Sequence, residues 1–352
     1  MKHDKNFNVG VLGATGTVGQ RILNMLDRHP WFKVVALMAS SESAGKPYRE
    51  AANWQLDQPM PEWAADMIVK PCLPETGIDL VLSALDRAAA GDIELEFAAA
   101  GMAVISNAMN HRMRNDVPLV IPEVNPDHLE AIRIQRERRG WDHGCIVTNP
   151  NCSTVGLVSA LKPLHDAFGV EKVLVTTMQA ISGAGYPGVP SLDILDNVIP
   201  LIKGEEEKIE SETLKLLGAW SDGGFRNAET AVSAHCNRVH VRDGHLECVS
   251  VKLRKPATPA ELIGCWRSFM PEIAKLALPS VPDRFIEYRD EADRPQPRRD
   301  RQAGNGMTLS IGRLRACPIL DWKFVVLSHN TIRGAAGAAV ANAELLVAKG
   351  WL

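Results

Sequence analysis

The stretch Asn149-Pro150-Asn151-Cys152-Ser153-Thr154 concentrates the residue types best suited to chemistry in this chain. Cys152 stands just ahead of an apolar run at helical spacing (Val155, Leu157, Val158, Leu161, Leu164), and Ser153 and Thr154 favour a helix start. A sulfur at a helix N-terminus meets the partial positive charge of unpaired backbone N–H groups. That field favours thiolate over thiol, and the same N–H groups can hold an oxyanion formed beside the sulfur. A lone cysteine can equally pack as a small hydrophobe. The other residues with chemistry are far away in sequence: Arg112, Gln179, Arg238, and His245 seven residues beyond Arg238. His235, Cys236, His240 and His245 do not suggest a metal site, because on an alternating strand they point to opposite faces.

Positioning these groups requires a scaffold, and its first element is a dinucleotide-binding opening. The apolar run Asn8 to Leu12 leads into Gly10, Gly13, Gly16 and Gly19, and then Val18, Ile22, Leu23 and Leu26 recur at helical spacing. Strand, glycine turn and helix let a backbone approach a pyrophosphate and place its charge on a helix N-terminus. Lys33 to Met38 reads as the next strand and ends at Ser40 and Ser41, with Lys46 nearby. Hydroxyl and basic neighbours suit a ribose 2′-phosphate and favour NADP over NAD, although Glu42 is close. Leu80 to Leu85 reads as a strand whose end, Ser83-Ala84-Leu85, faces the cofactor if the sheet is doubly wound. A helix over Ala89 to Gly101 and a strand over Ala103 to Ser106 follow. Arg112 then lies after a strand end, either as an anion ligand or as a surface arginine.

Pro126 to Arg139 reads as a polar helix, and Cys145 to Thr148 as a short strand feeding the cysteine hexapeptide. No Gly/Ser linker marks the domain change there, so two docked domains are expected, 1–151 and 152–330, with the cysteine in the cleft between them. The second half opens with a helix over Ser153 to Phe168 and a strand over Lys172 to Ala180, broken by Ile181-Ser182-Gly183-Ala184-Gly185, with Gln179 at that edge. Ser191 to Leu217 is irregular and then helical, and includes the charged run Gly204-Glu205-Glu206-Glu207-Lys208. Ala231 to Leu253 reads as a β-hairpin turning at Arg242-Asp243-Gly244, with Arg238 on the incoming strand and His245 at the mouth. A helix from Pro259 to about Leu276, a long Pro- and Arg-rich loop from Tyr288 to Gly304, strands at Met307 to Ile311 and Lys323 to Leu327, and an Ala-rich helix from Gly334 to Lys349 complete the chain. A loop of that length is often functional or interfacial.

Bulk properties bound the partners. A chain of 352 residues, 45% hydrophobic and 23% charged, suits a globular protein with two cores. With 39 basic against 42 acidic residues, and the short cluster Arg298-Arg299-Asp300-Arg301 reading as a solvated loop, nucleic acid is not an expected partner. No segment has transmembrane length, and Met1-Lys2-His3-Asp4-Lys5 leads towards a strand without a secretory apolar region, so a cytoplasmic protein is expected. Seven cysteines, odd in number and never in a C-x-x-C pair, argue for reduced thiols and against a disulfide framework or structural zinc.

Taken together, five ordered motifs resemble those of the aspartate-semialdehyde dehydrogenase family, in the form typical of archaea and fungi. They are Gly10-Val11-Leu12-Gly13-Ala14-Thr15-Gly16-Thr17-Val18-Gly19; Pro150 to Thr154; Gln179 before Ser182-Gly183-Ala184-Gly185; Arg238 with His245; and Ser328-His329-Asn330-Thr331-Ile332-Arg333-Gly334-Ala335-Ala336-Gly337. They span essentially the whole chain. The resemblance implies an α/β protein with an N-terminal Rossmann-type domain, completed by a C-terminal helix over 331–352. An α+β catalytic and dimerisation domain with a mixed sheet would make homodimers or homotetramers.

It also implies NADPH-dependent reduction of β-aspartyl phosphate to aspartate semialdehyde and phosphate, for lysine, threonine and methionine synthesis. Cys152 would be the nucleophile, His245 the acid/base, and Gln179 and Asn151 the groups that orient the carbonyl. Arg238 would hold the substrate carboxylate, Glu205 its amino group, and Arg112 and Lys208 the phosphate. Glu206 and Glu207 are equally available for the amine. NADP contacts are implied at Gly10, Gly13, Ala14, Thr15, Gly16, Thr17, Val18, Ser40, Ser41, Ser83, Ala84, Ser182, Gly183, Asn330 and Gly334. The residue types agree: a thiolate can displace phosphate to give a thioester open to hydride, and histidine titrates near neutral pH. Relatives of the same plan, N-acetyl-glutamyl phosphate reductase and a malonyl-CoA reductase, stay open as alternatives. A catalytically idle nucleotide-binding regulator is a third.

Overall fold

The computed structural model describes residues 6–221 and 223–352; the Met1 to Lys5 segment, whose lack of a secretory run is noted above, lies outside them. Two six-stranded sheets dominate. The first comprises β1 (Phe7–Leu12), β2 (Phe32–Ala39), β3 (Lys70–Pro71), β4 (Leu80–Ser83), β5 (Ala103–Ser106) and β6 (Cys145–Thr148), all parallel in the order β3-β2-β1-β4-β5-β6. Three of its strands are short runs with every residue buried, Leu80–Ser83, Ala103–Ser106 and Cys145–Thr148, as a parallel sheet covered on both faces requires. The order reverses between β1 and β4, so the carboxyl ends of these two strands form the crevice where such sheets bind ligands.

The second sheet is mixed. It contains β7 (Val170–Gln179), β10 (Ala231–Arg238), β11 (His245–Leu253), β12 (Ile286–Arg289), β13 (Leu309–Ala316) and β14 (Trp322–Ser328), in the order β10-β7-β11-β14-β13-β12. A small ribbon, β8 (Ala219–Ser221) with β9 (Gly224–Arg226), stands apart. The hairpin expected over 231–253 does not form. β10 pairs in parallel with β7, β11 pairs antiparallel with the other edge of β7, and the 239–244 connection passes over the end of β7. Alternation of side chains is the same whether two strands touch or a third lies between them, so the local pattern could not tell the two apart. The functional result is large: Arg238 is the register partner of Gln179, and His245 begins β11 on the other side.

Other boundaries moved for identifiable reasons. The helix expected to Leu276 ends at Arg267, because Pro271 follows and only a short tight turn, Glu272–Leu276, resumes. The terminal helix runs Gly337–Ala348, preceded by a wide turn at Ile332–Ala336 in which Gly334 N–H donates to His329 O at 3.0 Å and Ala336 N–H to Thr331 O at 3.1 Å. This helix packs on the Thr17–Leu26 helix and against β4 and β5. The Cys152–Phe168 helix covers the inner face of the second sheet, with Val155, Leu157, Val158, Leu161 and Leu164 all buried. The long loop after β12 is closed on itself by buried Asp300, which accepts from Arg294 and from Gln296 N–H. No helix among the described residues is long and apolar enough to cross a membrane.

Candidate active site

A local rule places the sulfur. Asn151 caps the helix: its Oδ1 accepts from Ser153 N–H at 2.9 Å and Thr154 N–H at 3.3 Å, which makes Cys152 the first helical residue. The cap also answers the oxyanion expectation. Two of the N–H groups that could have met negative charge are already committed to Asn151, so they do not serve as a free oxyanion hole. Asn151 is engaged at its other end too, with Nδ2 donating to Glu205 Oε2 at 2.8 Å. Gly334, delivered by the wide turn, lies flat against the nucleophile; a Cβ there would stand 2.7 Å from Cys152 Cβ.

His245 is buried behind the sulfur, with Nε2 3.2 Å from Cys152 Sγ. Ala180 N–H donates to its Nδ1 at 3.0 Å, so the neutral ring carries its proton on Nε2 and points it at the sulfur. Burial, reinforced by Arg238 and His329, holds the imidazole well below its ordinary range. The thiolate expected from the helix end is opposed in the ligand-free protein. Burial pushes the Cys152 thiol up to about 12 and the negative charge of Glu205 adds to it, while Arg238, Arg112 and Lys208 pull only partly the other way. Partial charges at a helix end do not replace the hydration that a sulfur anion loses.

Around this pair the sheet edges and one helix supply polar groups. Arg238 Nη1 donates to Ala180 O at 2.8 Å, and Gln179 Nε2 reaches Glu205 Oε2 and Thr177 Oγ1, each at 3.3 Å. Glu205 opens the Glu205–Leu216 helix and accepts from Lys208 Nζ at 2.8 Å. Burial raises the Glu205 carboxyl, but Lys208, Asn151 and Gln179 outweigh it and hold the group below the usual carboxylate value. Of the three consecutive glutamates only Glu205 enters the site: Glu206 accepts from Cys236 N–H at 3.0 Å, and Glu207 is exposed. Arg112 donates through Nη1 to Glu212 Oε1 at 2.8 Å and through Nη2 to Asn107 O at 2.7 Å.

Arg112, Asn151, Cys152, Gln179, Glu205, Lys208 and Arg238 line one cleft of about 1040 Å³ that continues to the glycine turn of the first sheet. Its walls include Gly13, Thr15, Gly16, Thr17, Val18, Ser40, Ser41, Ala84, Ser182, Gly183, Asn330 and Gly334. The residues fit a dinucleotide. Gly13 has φ +70°, and a Cβ there would lie 2.6 Å from Ala84 O. The Thr17–Leu26 helix has Gly16 as N-cap with no side-chain cap bond, so its first N–H groups stay available to a phosphate. Asn330 closes the wall by accepting from Gly244 N–H at 2.9 Å and donating to Ser182 Oγ at 2.8 Å.

Three expected cofactor contacts do not reach the cleft. Gly10 is inside β1, where even a Cβ would press Val81 at 3.1 Å; Ala14 is buried with its carbonyl accepting from Tyr48 Oη at 2.8 Å; Ser83 is buried and donates to Glu94 at 2.6 Å. A turn motif read as a continuous string includes positions that serve the turn rather than the ligand. His235 and His240 are exposed, and neither lines the cleft that holds the sulfur. Sequence reading missed Arg87, Asn107, Met109 and Thr331 in the wall, and Glu212 behind it. Glu212 was signalled only by its spacing from Glu205 and Lys208 along one helical face.

Comparison with known proteins agrees with this geometry. Residues 8–132 match the model of the semialdehyde dehydrogenase NAD binding domain, and residues 161–333 that of the semialdehyde dehydrogenase dimerisation domain. Aspartate-semialdehyde dehydrogenase of Archaeoglobus fulgidus is 51% identical over 342 residues, covering 97% of this chain and 98% of the relative. The chain belongs to the aspartate-semialdehyde dehydrogenase family. Within that family, the Schizosaccharomyces pombe aspartate-semialdehyde dehydrogenase is also 51% identical, over 350 residues, with 97% and 98% covered. The crystal structure of the Candida albicans aspartate-semialdehyde dehydrogenase with NADP superposes with a TM-score of 0.91 at 46% identity, covering 99% of this chain and all of that one. Aspartate-semialdehyde dehydrogenase II of Vibrio cholerae, solved in complex with ASA, has a TM-score of 0.79 at 28% identity, covering 98% of this chain and 99% of that one. The all-parallel sheet lies mainly in the NAD-binding match, and the mixed sheet in the dimerisation match.

Proposed function

We propose that this chain reversibly reduces β-aspartyl phosphate to L-aspartate 4-semialdehyde and phosphate with NADPH, through a thioester on Cys152, in the supply of lysine, threonine and methionine. The observation that carries this reading is the 3.2 Å Cys152–His245 pair at the inner end of a cleft that a dinucleotide fits. NADPH, when bound, supplies hydride to the thioester carbonyl. In the proposed sequence the Cys152 sulfur attacks the acyl carbon as its proton passes to the departing phosphate, which leaves with the electrons of the broken C–O bond. After hydride addition the alkoxide collapses, the C–S bond breaks, and aldehyde and thiolate are released.

The chain's residues hold and stabilise around that sequence. His245 Nε2–H donates to the oxygen on which charge develops. Arg238 holds the substrate carboxylate and Glu205 its ammonium, while Arg112 and Lys208 receive the phosphate. Gln179 orients the carbonyl. Asn151 acts through the cap and through Glu205, since both ends of its side chain are engaged. The domains divide at 151/152, with 331–352 returning to the first. A homodimer or homotetramer forms through the mixed sheet, in line with the dimerisation-domain match. Seven free cysteines support residence in the cytoplasm.

Purified protein given aspartate semialdehyde, phosphate and NADP should show rising absorbance of reduced nicotinamide, faster than with NAD, and Cys152→Ser should abolish it. No rise with the intact protein, or a rise only with a CoA acyl acceptor in place of phosphate, overturns the reading.

A further inference from the structure

We infer that Glu212 is a positioning residue for the phosphate half of the reaction, presetting the Arg112 guanidinium from the opposite domain. This rests on the reading of Arg112 as a phosphate ligand. Glu212 is buried, and its two oxygens reach from the second domain to two separate points of the first. Oε1 accepts from Arg112 Nη1 at 2.8 Å, and Oε2 accepts from the backbone N–H of Asn151, the residue before the nucleophile, at 2.6 Å. One carboxylate thus fixes the distance between the arginine and the sulfur's helix.

The same helical face repeats the theme. Glu205, Lys208, Glu212 and Lys215 follow one another at spacings of three, four and three, which is one stripe of an α-helix. One end of the stripe touches Asn151 and Gln179. At the other end Lys215 Nζ donates to the carbonyls of Arg112, Arg114 and Val117 at 2.7–2.9 Å and so fixes the segment that carries the arginine. With Nη1 on Glu212 and Nη2 on Asn107, the Arg112 Nε is buried and has no partner among the described residues, and Arg112 lines the cleft. Two of its three nitrogens are anchored, which fixes the plane of the guanidinium at the cleft wall. A buried ion pair is weak evidence for stability by itself, so its two-sided geometry carries the argument.

Glutamine at 212 separates the two contacts. It offers one acceptor and one donor where the site presents two donors. The Asn151 N–H is fixed by the helix cap and the guanidinium is not, so the amide oxygen stays with Asn151 and Arg112 is released. In the phosphorylating direction, Glu212→Gln should raise the phosphate KM about tenfold or more, the loss expected for a charged hydrogen bond, and leave the semialdehyde KM within about twofold. Glu212→Asp, which spans one partner but not both, should fall between. Arg112→Ala is the reference, and Glu212→Gln in that background should add little. If Arg112→Ala raises the phosphate KM but Glu212→Gln does not, or if the two effects simply add, the inference fails and the Arg112 assignment survives. If Arg112→Ala leaves the phosphate KM unchanged, the assignment fails and the inference with it. Equal rises in both KM values for Glu212→Gln and Glu212→Asp would mark a purely structural role and also overturn it.

Discussion

Replacing Glu205 with glutamine should make the free protein's nucleophile more reactive and the enzyme slower. The Cys152 thiol is pushed up to about 12, first by burial and second by the Glu205 charge. At pH 8 a thiol at that value is ionised in roughly one molecule in ten thousand. Glutamine keeps the shape and removes the charge, which lowers the thiol by about one to two pH units for a near neighbour. Lys208, paired with Glu205 at 2.8 Å, then loses its counter-charge and acts in the same direction. Thiolate should rise about ten- to hundredfold. Intrinsic nucleophilicity falls as the pKa falls, with a slope of about one half, so the net gain in alkylation is about three- to tenfold.

Turnover should fall meanwhile, because the substrate ammonium has lost its partner. The assay is iodoacetamide alkylation of the ligand-free protein between pH 6 and 10, with modification at Cys152 read by peptide mapping, since Cys248 is exposed to the same reagent. Equal or slower alkylation of the Glu205→Gln protein at every pH would refute the electrostatic argument. The same logic says how the sulfur is ionised in use: a substrate ammonium beside Glu205 cancels the charge that the substitution removes, so a bound amino acid lacking the reactive group should also speed alkylation.

Two further outcomes follow from single contacts. His245→Gln should lower kcat by about a hundredfold or more, the usual contribution of a positioned acid–base group, whereas His240→Gln, at an exposed position, should leave turnover near wild type; the reverse order would displace the Nε2–Sγ contact from the mechanism. Glu247, buried two residues beyond His245 with neither oxygen hydrogen-bonded among the described residues, has its carboxyl pushed well above the ordinary range by burial. An acid raised on folding gives stability that is full below the unfolded value near 4.3 and is lost as pH rises towards the folded one, by about 1.4 kcal/mol per pH unit. Glu247→Gln should therefore flatten the fall in urea midpoint between pH 5 and pH 8 at fixed protein concentration, and parallel slopes for the two proteins would contradict this.

The features that sequence alone determined are those whose physics is local. The turn around Gly13 follows from a backbone conformation that glycine adopts without strain, and Ser153 and Thr154 ahead of an apolar stripe put Cys152 at a helix start, although the cap itself is Asn151. The buried strands of the parallel sheet are continuous apolar runs and could be read as such. Everything that depends on which distant segments meet was decided by tertiary structure. Intercalation of β7 between β10 and β11 turned an apparent hairpin into the device that joins Gln179, Arg238 and His245, and a period of two residues carries no information about which strand lies alongside. Glu205 was separated from Glu206 and Glu207 by the direction in which one helix packs, and Glu212 found Arg112 across 100 residues of chain. The nucleophile's ionisation depends on the fold in the same way: residue type supplies the titratable sulfur, but loss of its hydration and the sum of charges folded around it push the thiol up.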